Sequence, residues 1–122
     1  MLKCLSLSPK LDSLVYNISV KLFIDTTSNE TIKVGLAVGG KMDLREESHD
    51  KKKAQIVLSL IHELLTKHNL MLQDLTAIEV NPGPGSFTGI RVGLAIANTL
   101  GSVLQIPINN QAVGELVEAK YE

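Results

Sequence analysis

The order of apolar and polar residues from Lys21 onward predicts a sheet that begins as a hairpin. Lys21 to Asp25 is a short apolar run that leads into a turn-rich cluster, and residues 31–38 alternate as a half-buried strand does. Gly39-Gly40 is a turn signal, so residues 41–48 are predicted to return as the second arm of the hairpin. This arm is mostly polar after Leu44, which favours a position at the edge of the sheet.

The rest of the chain alternates between helical and strand patterns. Apolar residues at helical spacing predict helices at 54–68 and from about 87 to 104. Short β-rich runs predict strands at 75–80 and 106–109, and residues 112–121 are predicted as a closing helix. The resulting order, βββαβαβα, predicts an α/β fold with a mixed five-stranded sheet.

The first helix carries more apolar residues than one sheet can cover. Its apolar positions, Ile61 and Leu65 among them, fill an arc of about 200°, whereas a helix on a sheet needs a stripe of ~100° or a little more. The excess predicts a second buried face, against a neighbouring helix or against another chain.

The second helix carries a stripe of small residues, with Gly89, Gly93, Ala97 and Gly101 recurring every four positions. Glycine inside a helix costs about 0.5–1 kcal/mol relative to alanine, so close packing must offset it. Two explanations stay open: the stripe packs on the chain's own sheet, or a partner helix docks there.

A loop rich in glycine and proline precedes the second helix. It comprises Gly83, Pro84, Gly85, Ser86, Phe87 and Thr88, and Gly89 follows. The loop lacks the lysine of a phosphate-binding Walker loop, and its glycine spacing does not fit the dinucleotide fingerprint. Its backbone N–H groups could still lie near an anion at the start of the helix, or the loop is a structural turn that lets the helix pack closely on the sheet, which we favour.

The turn after the first predicted strand is the other candidate site. Asp25 could contact a nucleotide or a metal-bound water, with Thr26, Thr27 and Ser28 around a phosphate, or these residues could simply cap the turn. The three histidines are too scattered along the chain to predict a metal site, and no cofactor is expected.

Composition and charge narrow the class of protein. The chain has 122 residues, 44% of them apolar, with 12 basic and 13 acidic side chains. We expect one domain at residues 21–122 and no membrane span. We do not expect phosphate contacts alone to hold this domain to nucleic acid. The single Cys4 fits a reducing, cytoplasmic compartment. Residues 1–20 show no sustained period and are predicted to be a poorly ordered leader.

Two segments carry a resemblance to a known family: residues 24–28, IDTTS, and residues 81–93, NPGPGSFTGIRVG. They resemble the TsaB (YeaZ) family of tRNA threonylcarbamoyladenosine biosynthesis proteins, and the similarity extends over about residues 21–107. The resemblance implies an actin-like ATPase (ribonuclease H-like) fold, present here as a single lobe, because the chain ends where the family would begin a second lobe. Where the family often has a histidine at the start of the first helix, this chain has Lys53.

The resemblance also implies a role and partners. It implies a non-catalytic subunit that docks on a TsaD-like catalytic subunit, works with a TsaE-like ATPase and meets tRNA only through the complex. The two helices would form the interface, with Ile61, Leu65 and the small-residue stripe as contacts. The alternatives are a stand-alone nucleotide-binding enzyme that uses Asp25 and the loop, and a homodimer through the same helices.

Overall fold

Among the residues that the structure describes, the strands β1 (Val20–Asp25), β2 (Thr31–Val38), β3 (Lys41–Ser48) and β4 (Ala77–Val80) form one mixed sheet in the order β3-β2-β1-β4. The computed structural model of the chain describes residues 19–48 and 53–120. β1 pairs antiparallel with β2 and parallel with β4, and β2 pairs antiparallel with β3. The helices are α1 (Lys53–Lys67) and α2 (Phe87–Leu104), with a short 3-10 turn at Leu72–Asp74 between α1 and β4. The predicted hairpin, its edge strand and both long helices are thus confirmed.

The core lies between one face of the sheet and the two helices. Alternate residues of β1 and β2 are fully buried, and they share one cluster with the inward residues of α1 and α2. Both helices therefore cover the same face. None of the helices in the described part of the chain is long and apolar enough to cross a membrane.

The predicted fifth strand is reduced to an isolated bridge, so the five-stranded sheet is wrong in that detail. The Ile78 N–H donates to the carbonyl of Pro107, and the Asn109 N–H donates to the carbonyl of Ile78. Asn109 and Asn110 then take positive φ values of 53° and 63°, which turn the chain away from the strand direction. Pro107, which has no N–H, cannot lengthen the ladder as a donor.

The predicted closing helix is also wrong in its described part, residues 112–120, which contain turns and coil. The N–H and carbonyl of Val117 are both bonded to the side chain of Asn98, at 3.0 and 3.1 Å. The Lys120 N–H donates to the carbonyl of Pro82. Backbone groups that a helix would pair internally are thus bonded to distant parts of the chain.

The predicted leader at residues 1–20 lies, except for its last two residues, outside the described residues. Val20 already belongs to β1 and is 1% exposed. Strand β1 therefore begins one residue before the expected boundary at residue 21.

Candidate functional site

The turn after β1 is organised by the carboxylate of Asp25. One oxygen, Oδ1, accepts from the N–H of Thr27 at 3.0 Å and from its hydroxyl at 2.7 Å. The other, Oδ2, accepts from Nδ2 of Asn81 at 3.3 Å. Burial raises the pKa of Asp25, but the Thr27 and Asn81 bonds and the nearby charge of Lys33 outweigh it, so the pKa lies below its usual value.

The next residue, Thr26, ties the same turn to α2. It is fully buried, and its hydroxyl donates to the carbonyl of Gly89 at 2.5 Å. The N–H of Ser86 donates to the carbonyl of Thr27 at 2.7 Å. The β1 turn and the loop before α2, far apart in sequence, thus form one unit.

The start of α2 is capped by this chain's own side chains. The hydroxyl of Ser86 accepts from the N–H of Gly89 at 3.1 Å, the usual bond of a helix N-cap. Nζ of Lys53 lies 3.4 Å from that hydroxyl and 3.5 Å from the carbonyl of Ser28. Burial lowers the pKa of Lys53.

The residues around Lys53 in the sequence do not predict that this lysine belongs to the site. In the sequence it is the last of three lysines at a helix start, a pattern typical of a solvated surface. The signal that could have found it is that the family which the sequence resembles often has a histidine at this position. The structure puts its ammonium beside the turn that contains Ser28.

The loop before α2 lies directly against the turn after β1. Gly83 has φ +111°, and its N–H donates to Oδ1 of Asn81 at 3.0 Å. A Cβ at Gly85 would overlap Thr27. The glycines therefore allow the loop to lie directly against the β1 turn.

Side chains that could hold a metal do not converge among the residues that the structure describes. In the stretches 19–48 and 53–120, no three His, Cys, Asp or Glu side chains lie close enough together to bind an ion. Asp25 is instead bonded to Thr27 and Asn81, as in a capped turn.

We expect Asp25→Asn to weaken the acid dependence of stability. Because the folded-state pKa is lowered, the ionised carboxylate stabilises the fold above its unfolded pKa, and this contribution is lost as pH falls through the folded pKa. The variant should lose about 1 kcal/mol at pH 7 and less at pH 3, because below the usual pKa of a free aspartate the wild type has begun to lose this contribution. Urea unfolding at both pH values measures this, with the exposed Glu30→Gln as the control. An equal loss at both pH values would contradict it.

The small-residue stripe faces the interior of the chain, which corrects its assignment to a partner interface. Gly89, Gly93, Ala97 and Gly101 are all buried. A Cβ at Gly93 would overlap the hydroxyl of Thr26, and one at Gly101 would overlap Ile108. Of the two explanations that the sequence left open, packing on the chain's own sheet is right.

The two apolar contacts assigned to α1 need the same correction. Ile61 is 4% exposed and Leu65 is 5% exposed. Both belong to the core cluster, so neither presents a surface to a partner. The wide apolar arc of α1 is explained by its packing on both β2 and α2.

A different set of residues leaves apolar surface on the helices. Leu58 of α1 is 52% exposed and Val103 of α2 is 72% exposed. Val92 and Ile96 are half-buried and lie within about 40° of Val103 around α2. We call Leu58, Val92, Ile96 and Val103 the helix-pair surface.

The helix-pair surface lies on the flanks of α1 and α2 that are turned away from bonds to other parts of the chain. Asn98, on the far side of α2, is bonded to Val117. Glu63, on the far side of α1, is bonded to Arg45 of β3. Leu58 and Val103 therefore lie on the flanks opposite to these bonds, Leu58 near the start of α1 and Val103 near the end of α2.

Comparison with known proteins connects this fold to a family. The family model described as "TsaD: tRNA N6-adenosine threonylcarbamoyltransferase" matches residues 46–110, just over half of the chain. The tRNA threonylcarbamoyladenosine biosynthesis protein TsaB of Escherichia coli strain K12 is 33% identical over 87 residues, and that of Bacillus subtilis strain 168 is 37% identical over 89. The chain belongs to the TsaB (YeaZ) family.

The similarity to TsaB proteins covers most of this chain and less than half of each relative. The matched residues are 71% of this chain and 37% of the E. coli protein, and 72% and 38% for the B. subtilis protein. YeaZ from Pseudomonas aeruginosa superposes with a TM-score of 0.71 at 30% identity, over 77% of this chain and 44% of that one. The described residues thus have the actin-like (ribonuclease H-like) α/β fold that the resemblance implied.

Proposed function

We propose that this TsaB-family chain is a non-catalytic partner subunit in the formation of N6-threonylcarbamoyladenosine in tRNA. In this role it docks on a TsaD-like catalytic subunit and stabilises it. A TsaE-like ATPase is the further protein partner, and tRNA is contacted through the assembled complex. The observation that carries the proposal is the apolar helix-pair surface on a chain of this family.

The matched range of the family model supports this choice of partner. Residues 46–110 include α1, β4 and α2, so a TsaD-type protein carries counterparts of both helices. Two similar helix pairs can pack together as a bundle, with apolar side chains between them. Leu58 and Val103, half or more exposed in this chain, would be covered in that bundle.

The capped turn supports the absence of catalysis. The carboxylate of Asp25 is held by Thr27 and Asn81, and the start of α2 is capped by Ser86 with Lys53 beside it. With a net charge of −1, the chain carries no basic excess to bind tRNA by itself.

We expect Val103→Asp to weaken binding to the cognate TsaD-like subunit by at least tenfold. A carboxylate placed in an apolar contact between helices must be desolvated without a partner. Calorimetry with the full chain and the catalytic subunit measures the affinity. The threonylcarbamoyl-tRNA formed when the chain is added to a mixture that lacks only its TsaB component tests the role.

Ser102→Asp is the matched control. Ser102 is exposed on the other flank of the same helix turn, so the added charge meets the same helix end without entering the helix-pair surface. Equal binding by wild type and Val103→Asp would refute the interface. Failure of the wild-type chain to restore tRNA modification would refute the role.

A nucleotide-binding enzyme is the second candidate, favoured by the Lys53 ammonium beside the start of α2. A cation and a helix N-terminus are together suited to a phosphate group. Micromolar binding of ATP with Mg²⁺ by the isolated chain would support this function over the scaffold.

A further inference from the structure

β3 leaves one side of its backbone without a partner strand in the described part of the chain. It lies at the end of the sheet order β3-β2-β1-β4. It is eight residues long, and its apolar residues Met42 and Leu44 are 54% and 49% exposed. An edge strand of this length can pair with another strand.

The hairpin determines which residues of β3 point their backbone groups outward. Val38 opposes Lys41 across Gly39-Gly40, and both glycines have positive φ, as a two-residue hairpin turn requires. The pair that closes such a turn is hydrogen-bonded. By alternation, residues 41, 43, 45 and 47 bond to β2, and residues 42, 44 and 46 present N–H and C=O groups to the open side.

In β3, the residues one and three positions before Leu44 carry charges opposite to those of the residues one and three positions after it. Lys41 and Arg45 alternate with Asp43 and Glu47 on the face that carries the helices. That placement is visible in two contacts to α1: Asp43 accepts from Lys67 at 2.9 Å, and Arg45 donates to Glu63 at 3.0 Å.

We propose that β3 is a self-association edge, on which β3 of a second copy of this chain pairs antiparallel about a twofold axis through Leu44. In this register Leu44 opposes Leu44 of the second copy, and both exchange backbone hydrogen bonds. Asp43 opposes Arg45, and Lys41 opposes Glu47, each pair twice in the dimer. Opposite charges directly across antiparallel strands are stabilising.

Other registers place like charges together or lose contact length. A twofold axis through Asp43 opposes that residue to itself and Lys41 to Arg45. An axis through Arg45 opposes Arg45 to itself and Asp43 to Glu47. A twofold axis through Met42 or Glu46 retains only one kind of opposite-charge pair and shortens the paired length of the two strands. The axis through Leu44 alone gives all four charged residues of this face an opposite partner.

The remaining contacts are compatible with this dimer. Lys67 and His68 both reach Asp43 through Oδ2, so we assign Oδ1 to Arg45 of the second copy. The two β2 strands would lie about 14 Å apart, three strand spacings, which leaves room for one α1 helix over each half. The helix-pair surface stays free, so this inference does not rest on the proposed function.

The test is sedimentation velocity of the full chain over a series of concentrations, with Lys41→Glu and Glu47→Lys as variants. Each single variant places like charges opposite each other twice, and we expect it to weaken the dimer by about tenfold. An equimolar mixture of the two variants regains opposite charges at both contacts and should dimerise as the wild type does. Glu30→Lys, an exposed charge reversal outside the strand, should change nothing.

A second measurement locates the contact. The N–H of Leu44 should exchange with solvent more slowly at high protein concentration, because the dimer bonds it. Three results would each overturn the proposal. The wild-type chain could stay monomeric, the mixture of variants could fail to restore the dimer, or Val103→Asp could abolish the dimer while Lys41→Glu leaves it intact.

Discussion

Gly93→Ala should lower the free energy of unfolding by about 3 kcal/mol, because the added methyl group has no space. A Cβ at Gly93 would overlap the hydroxyl of Thr26. That hydroxyl is fully buried and bonded to the carbonyl of Gly89, so it cannot move without breaking the bond. The better helix propensity of alanine, about 1 kcal/mol, offsets only part of this cost. Urea unfolding followed by circular dichroism measures the change.

Two comparisons separate steric overlap from other causes. Ala95→Leu adds more bulk to an exposed position of the same helix and should leave stability nearly unchanged. In a Thr26→Ala background the cost of Gly93→Ala should shrink, since the overlapping hydroxyl is gone. A stable Gly93→Ala variant that instead loses its TsaD-like partner would return the stripe to the interface.

Asn109→Ala should also cost about 3 kcal/mol, because its side chain continues the sheet where the fifth strand stops. Oδ1 accepts from the N–H of Val80 at 2.8 Å, and Nδ2 donates to the carbonyl of Val80 at 3.0 Å. Truncation leaves both backbone groups of a residue that is 3% exposed without these partners. The same unfolding measurement applies, with faster amide exchange at Val80 as the local readout.

Asn110→Ala is the control for backbone conformation. Asn110 also has a positive φ, 63° against 53° for Asn109, but it is exposed. It should cost about 1 kcal/mol, the penalty for alanine in the left-handed region. Equal costs at the two positions would show that the Val80 bonds contribute nothing.

The sequence by itself predicted the elements whose signals are local. Two glycines marked the hairpin that the structure closes at Gly39-Gly40, and the helical spacing of apolar residues predicted α1 and α2 within a residue or two. The short motif after β1 and the loop before α2 also carried the family resemblance. Helical period, turn residues and motifs are properties of neighbouring residues, so they are readable without the fold.

The tertiary structure decided what each surface faces. A stripe of small residues has the same sequence pattern whether it packs against Thr26 of its own chain or against a helix of another chain. Only the tertiary structure distinguishes these two cases. The segment after residue 111 had a helical pattern, but Asn98 and Pro82 take its backbone groups. The sequence pattern is typical of a solvated Lys53, whereas the fold places Ser28 and Ser86 beside it. In each case the deciding contact joins residues distant in sequence, and local patterns contain no record of such contacts.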